Sequence, residues 1–265
     1  MPSDLAQLLH LIDDMPDYRQ LMAGLQQQSG SSKVIVLEAA KPYLIAALYY
    51  SLRLPMLVVT AQPGNSKKLC EQLFTWCHSS PVKLFPEPDA LPYQRIASDT
   101  TSELERIQVL SALASSESAI NAPLIVASAP AFMQKTTLFR DFMSTFHIIK
   151  RGMAMEPFHL LSKLEATGYR TENIVEVPGT ISHRGGIIDI YPPTSELPVR
   201  LEFFGNTIES IRLFDPANQR SLTAVSSIAI SPATELLPLL NGAEYEQALN
   251  NIDLSGCNTE ASQQF

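Results

Sequence analysis

Apolar and charged positions alternate with period two through Val199-Arg200-Leu201-Glu202-Phe203-Phe204 and again through Ile208-Glu209-Ser210-Ile211-Arg212-Leu213-Phe214-Asp215. Such alternation marks strands with one buried and one exposed face. Upstream, Arg184-Gly185-Gly186 leads into Ile187-Ile188-Asp189-Ile190-Tyr191-Pro192-Pro193, an apolar strand that carries one acid. Together these stretches read as a recognition surface on a small sheet, not as a catalytic pocket.

The first half has a different rhythm. Leu5–Asp13 places apolar residues at three- and four-residue spacing, which predicts a helix. Pro16 breaks it, and Asp17–Leu25 forms a second short one. Val34-Ile35-Val36-Leu37 reads as a short buried strand. Lys41–Arg53 follows as a helix with Pro42 in its first turn. Strands at Pro55–Thr60, Val82–Phe85 and Leu124–Ala127 are interleaved with helices at Lys67–His78 and Ser102–Ser115. Strands alternating with helices predict a parallel sheet covered on both faces, an α/β domain resembling a nucleotide-binding fold.

Near residue 144 the pattern changes. His147-Ile148-Ile149 reads as a strand and Glu156–Ala166 as a helix ending at Gly168; from Tyr169 to about Ser226 nearly everything reads as strand and turn. This predicts a smaller α+β domain with a mainly antiparallel sheet. The expected division is 1–143, 144–226, and 227–265, the last returning to the first layer as a truncated part of domain 1.

The hairpin at 199–215 admits two registers. A two-residue turn at Gly205-Asn206 sets Glu202 opposite Glu209, an unfavourable pair. A three-residue loop, Gly205–Thr207, pairs Leu201 with Ile211 and Val199 with Leu213, but sets Arg200 opposite Arg212. The second gathers more apolar side chains on one face and is preferred.

Candidate chemistry is sparse. The first turn after a strand, where a nucleotide phosphate would sit, reads Leu37-Glu38-Ala39-Ala40-Lys41-Pro42. It has no glycine to let backbone N–H groups converge on phosphate, no Ser or Thr after Lys41, and an acid in the cradle. His10, His78, His147, His159 and His183 show no metal-ligand spacing, and there is no Gly-x-Ser-x-Gly elbow. Asp89, Asp99 and Glu103 fit helix-capping roles. Asp189, inside an apolar strand, needs a partner: Arg184, Arg200 or a backbone donor. No catalytic, cofactor or metal residue is expected.

Bulk properties narrow the class further. The chain has 265 residues, 45% hydrophobic and 17% charged, with a net charge of -8. That balance suits a soluble globular protein and argues against a broad basic groove for DNA. Residues 144–226 are near neutral, with six Arg and two Lys against nine acids. Such an arginine preference suits bidentate pairing at an interface. Cys70, Cys77 and Cys257, an odd and sparse set, fit reduced thiols in the cytoplasm; the first two lie seven apart, as on one helix face. No signal peptide is visible, and no apolar run reaches the roughly 18 residues of a membrane span. The polar end from Asn250 predicts the front part of a longer protein.

Three strings carry a family resemblance: Arg184–Pro192, Val199–Phe204, and Ile208–Asp215 with Gln219-Arg220-Ser221. They resemble the N-terminal UvrB-homology module of bacterial transcription-repair coupling factors. Phe85-Pro86-Glu87 and Leu91-Pro92-Tyr93, followed by Ser102–Leu113, resemble that module's first domain. UvrB itself is similar in the second domain but carries the phosphate loop missing here. The resemblance implies a protein-binding module without ATPase activity or cofactor. Its second domain would bind UvrA, the damage-recognition protein of nucleotide excision repair. RNA polymerase and DNA would be engaged by downstream domains, including the ATP-dependent DNA translocase of the full-length family protein. A C-terminal domain can mask the second domain in that family. The matching surface suggests Arg170, Arg184, Arg200 and Glu202 as UvrA contacts. The competing expectation is a degenerate nucleotide-binding domain that retains ATP or DNA binding.

Overall fold

A computed structural model of the chain describes residues 5–27, 31–77, 82–88, 100–114 and 122–235. Two compact units meet between Phe139 and Arg140.

In the first unit a 3-10 helix over Leu5–Asp14 leads into α1 (Pro16–Gln26), and a 3-10 turn at Glu38–Ala40 into α2 (Lys41–Leu52). Then come β1 (Met56–Thr60), α3 (Pro63–Trp76), β2 (Val82–Phe85), α4 (Thr100–Ala114), β3 (Leu124–Ser128) and the short α5 (Ala129–Met133). The strands form a parallel sheet in the order β1-β3-β2. Central β3 is buried at all five positions because it is covered on both faces, as parallel strands require. Leu124 and Val126 pack with Ala46, Tyr49, Cys70 and Leu73 from α2 and α3. Ile125 and Ala127 pack with Phe85, Val109 and Ala131. The Phe85-Pro86-Glu87 string is anchored from two sides. Buried Arg106 stacks on the Phe85 ring at 4.1 Å and donates to the Pro86 carbonyl at 2.8 Å; the Ser128 hydroxyl bonds a Glu87 carboxylate oxygen at 2.7 Å.

One expected strand does not form. Residues 34–37 belong to no strand, and Val34, Ile35 and Leu37 are exposed. Strand propensity measures how well side chains fit a paired, half-buried surface. No described strand pairs with this segment, so the propensity alone does not make a strand. Asp89, Asp99, His78, Leu91-Pro92-Tyr93 and Cys257 lie outside the described residues.

The second unit contains α6 (Phe139–Ser144), which spans the boundary, then β4 (His147–Lys150), α7 (Pro157–Ala166), β5 (Arg170–Thr171), β6 (Thr180–Arg184) and β7 (Ile187–Tyr191). It continues with β8 (Val199–Phe204), β9 (Thr207–Phe214), β10 (Ser221–Ala224) and β11 (Ser227–Ile230). Six strands form one sheet, β10-β9-β8-β7-β6-β5, antiparallel except where β5 joins β6. Leu160 and Leu164 of α7 pack against Ile181, Ile188, Ile190, Val199, Leu201, Ile208 and Ile211. β11 pairs with β4 and brings Ile230 into this core, so residues 227–230 lie in the second unit and not in the first layer. The sequence placed them elsewhere because pairing across such a separation leaves no local signal.

Helix α7 is bounded by its own sequence. Glu156 caps it, accepting from the backbone N–H groups of Phe158 and His159, and Pro157 occupies the first turn. At the other end Tyr169 N–H bonds Leu164 O and Gly168 N–H bonds Glu165 O, a Schellman motif. Gly168 sits at φ +92°, and a Cβ there would lie 2.5 Å from the Thr234 side chain.

The hairpin satisfies both local rules at once. Its tip is the two-residue turn, with Phe204 opposite Thr207; farther along, Leu201 pairs with Ile211 and Arg200 with Arg212, as the longer loop predicts. A β-bulge between the two registers absorbs the difference. Glu209 is the extra residue, so it does not face Glu202, and its carbonyl accepts from Arg151 Nε at 2.9 Å. The bulge also lets Ile208 and Ile211, three apart, both enter the core.

Gly168→Ala is expected to destabilise the second unit by about 2–4 kcal/mol, combining the left-handed backbone penalty with overpacking. Gly185→Ala, at φ +61° with open space around it, is expected to lose only about 1 kcal/mol. Urea titration of both variants checks the difference; equal losses would contradict the Thr234 contact.

Candidate protein-binding face

Cross-strand register decides which side chains share a face. One row across β6 to β9 reads Ser182, Asp189, Arg200, Arg212; the next reads Arg184, Ile187, Glu202, Ser210. Arg170 pairs with Thr180, which pairs with Tyr191, on the same side. The intervening positions, Ile188, Ile190, Val199 and Leu201, are those that pack on α7. All four residues expected from the sequence, Arg170, Arg184, Arg200 and Glu202, therefore lie on the face away from α7.

Asp189 is the centre of this face, with 1% of its side chain exposed. Arg200 grips it at two points, Nε to Oδ1 at 2.7 Å and Nη2 to Oδ2 at 2.8 Å. Arg184 Nη2 adds a longer bond to Oδ2 at 3.2 Å. The two partners named for Asp189 are thus both engaged. Charge-assisted bidentate geometry makes the Arg200 contact the stronger of the two.

The arginines differ in accessibility. Arg200 lies 4.7 Å above the Phe214 ring, donates Nη1 to the Gln219 carbonyl at 3.3 Å and is only 17% exposed. Its hydrogen bonds to Asp189 raise its pKa, against an opposing effect of burial. Arg184 is 55% exposed, and Arg170 at the β5 edge is exposed. Arg200 stands opposite Arg212, yet the like charges turn apart: Arg200 to Asp189, and Arg212 Nη2 to Glu202 Oε2 at 3.6 Å. Glu202 also accepts from the Ser210 hydroxyl.

The loops that close over Arg200 were not legible in the sequence. Val175, Tyr191 and Phe214 form a small apolar cluster on this face. Gln219, at φ +62°, donates its amide to the Val175 and Pro216 carbonyls, at 3.2 and 2.7 Å. Sequence marks Arg212 only through its unfavourable pairing with Arg200; strand alternation places it on the face.

The first unit offers little for phosphate or metal. A groove of about 620 Å³ at the start of α2 and α3 is lined by Lys41, Thr60, Asn65 and Lys68. Lys41 is paired with Glu38 at its rim. Burial pushes the Cys70 and Cys77 thiols up to about 11, away from the reactive thiolate. Among the described residues no cluster of three His, Cys, Asp or Glu is arranged to hold a metal, and no helix is long and apolar enough to cross a membrane.

Residues 148–236 match the model of the UvrB interaction domain. The chain is 30% identical over 243 residues to the transcription-repair-coupling factor of Bacillus subtilis, covering 91% of this chain and 20% of that protein. It is 31% identical over 205 residues to the factor of Myxococcus xanthus, covering 75% and 17%, and 30% identical over 191 residues to that of Haemophilus influenzae, covering 72% and 16%. The chain spans about a fifth of the length of the curated relatives it matches. It belongs with the UvrB-homology modules of transcription-repair coupling factors, and its second unit carries the UvrB interaction domain.

Asp189→Ala strands Arg200 without its buried partner and is expected to destabilise the second unit by about 3 kcal/mol. Asp189→Ala combined with Arg200→Met is expected to recover much of that loss. Denaturant melts of the two single variants and the double variant check it; strict additivity would mean that the pair is not coupled.

Proposed function

We propose that this chain is a docking module that recruits UvrA to RNA polymerase stalled in transcription-coupled repair, and that it works by binding, without ATP hydrolysis of its own. One observation carries the reading: the exposed Arg184, set beside the locked Asp189–Arg200 pair, lies on the open face of a segment matching the UvrB interaction domain. Arg170, Arg184 and Glu202 are assigned as contacts with UvrA. Arg200 is assigned as the residue that holds Asp189, and through it Arg184, in place. The binding domain begins near residue 144 and runs through β11.

Non-catalytic action is supported by the turn at 37–42. It lacks the glycines a phosphate cradle needs, and its lysine is paired with Glu38. Contacts with polymerase and DNA are assigned to parts of the full-length relatives outside this chain, and the protein is assigned to the cytoplasm.

Titration calorimetry with purified UvrA tests the reading. The unmutated chain is expected to bind, and Arg184→Ala to bind roughly tenfold or more weakly with an unchanged melting temperature, since interfacial arginines are common hot spots. Mg-ATP is expected to give no heat of binding. Absence of UvrA binding by the unmutated chain would reject the module; heat with Mg-ATP would revive a nucleotide-binding role.

A further inference from the structure

Alternation along β8 carries the binding face one residue pair beyond Glu202. Arg200, Glu202 and Phe204 occupy successive same-side positions, while Phe203 between them turns toward the α7 core. Phe204 is 80% exposed. A single exposed apolar side chain is ordinary on a soluble surface. This one is set apart by what surrounds it and by how firmly it is held.

Strands β5 to β10 carry four arginines and no lysine, and all four arginines lie on the Phe204 side. Aromatic and arginine side chains with lysine depleted are the composition of an interface core. Arg170, Arg184 and Arg212 are exposed, and the four arginines outnumber the two acids that share their rows, Asp189 and Glu202, on a chain of net charge -8. The complement of this face is a protein surface bearing carboxylates.

The turn that presents Phe204 is pinned from the side by residues 152–155. Gly152 N–H bonds Ile208 O at 2.8 Å, Ile208 N–H bonds Met153 O at 3.0 Å, Met155 N–H bonds Asn206 O at 2.7 Å, and Ala154 bridges Thr207, the residue opposite Phe204. The backbone beneath Phe204 thus has little freedom left to lose on docking, and a Phe side chain has only two torsions to fix. The space over the turns is open: a Cβ added at Gly185 or Gly205 would meet nothing within 4 Å.

We propose that Phe204 is the apolar anchor of this face, entering an apolar pocket of the bound protein whose rim supplies carboxylates to Arg184 and Arg212. The proposal rests on the reading of the face as the UvrA-docking surface.

Calorimetric titration of the full chain with purified UvrA tests it, using Phe204→Ser, Phe204→Leu, Arg184→Ala and, as a control, Phe158→Ser. Phe158 is an exposed aromatic on α7, against the other side of the sheet. The expected result is a roughly tenfold or larger loss of affinity for Phe204→Ser, a smaller loss for Phe204→Leu, and none for Phe158→Ser, with melting temperatures unchanged. Wild-type affinity in Phe204→Ser beside weakened Arg184→Ala would overturn the anchor and leave the docking reading standing. Equal losses in Phe204→Ser and Phe158→Ser would overturn it too, since the effect would then be general to surface hydrophobes. No binding by the unmutated chain would reject the docking reading and the anchor with it. Should Phe204→Ser melt lower, Phe204→Leu, which keeps an apolar side chain at the tip, decides: a measurable loss of affinity at an unchanged melting temperature, smaller than that of Phe204→Ser, supports the anchor, and wild-type affinity overturns it.

Discussion

A carboxylate taken out of water in the middle of a strand constrains everything around it. Asp189 has isoleucines on both sides, and both belong to the α7 core. Strand alternation therefore sends the carboxylate to the opposite face, where an unpaired charge is costly. Arg200 answers it from the adjacent strand with two bonds, and Phe214 and the Gln219 carbonyl answer Arg200 in turn. A one-residue slip between β7 and β8 would break the ion pair and turn the apolar residues to solvent together. The pair thus helps fix the register, and the register places Arg184, Glu202 and Arg212 on one surface.

The bulge at Glu209 serves the same end. Without it, the tight turn at Gly205-Asn206 would carry its register down the whole hairpin and set Glu202 against Glu209. With it, the tip keeps its two-residue turn while Val199, Leu201, Ile211 and Leu213 pair in the register that the core needs. The local disruption is compensated, since the bulged carbonyl is taken by Arg151 and the tip by residues 152–155.

Much of this was legible because its causes are local. The period-two strings gave the strands of the sheet, and Glu156-Pro157 with Gly168 marked the ends of α7 from capping chemistry. The hairpin posed two local rules in apparent conflict, and a single extra residue resolves them, which no count along one strand reveals. Non-local pairing was the limit elsewhere. Val34–Leu37 has strand composition but no described neighbour to pair with, and β11 finds β4 nearly eighty residues upstream. At the face, sequence could group the arginines but could not rank their exposure. That ranking depends on Phe214 and Gln219 folding back over Arg200.

The outcome is a division of labour between two arginines on one carboxylate. Arg200 is bidentate, stacked and mostly buried, so releasing it would leave Asp189 without its main partner. Arg184 makes one longer bond from a half-exposed position, and exposed ion pairs of that kind contribute little stability. Exchanging its Asp189 contact for an incoming carboxylate would disturb the fold little, because Arg200 still neutralises Asp189. A buried pair that supports an exchangeable arginine is therefore suited to a surface that must bind and release a protein partner without reorganising its own sheet.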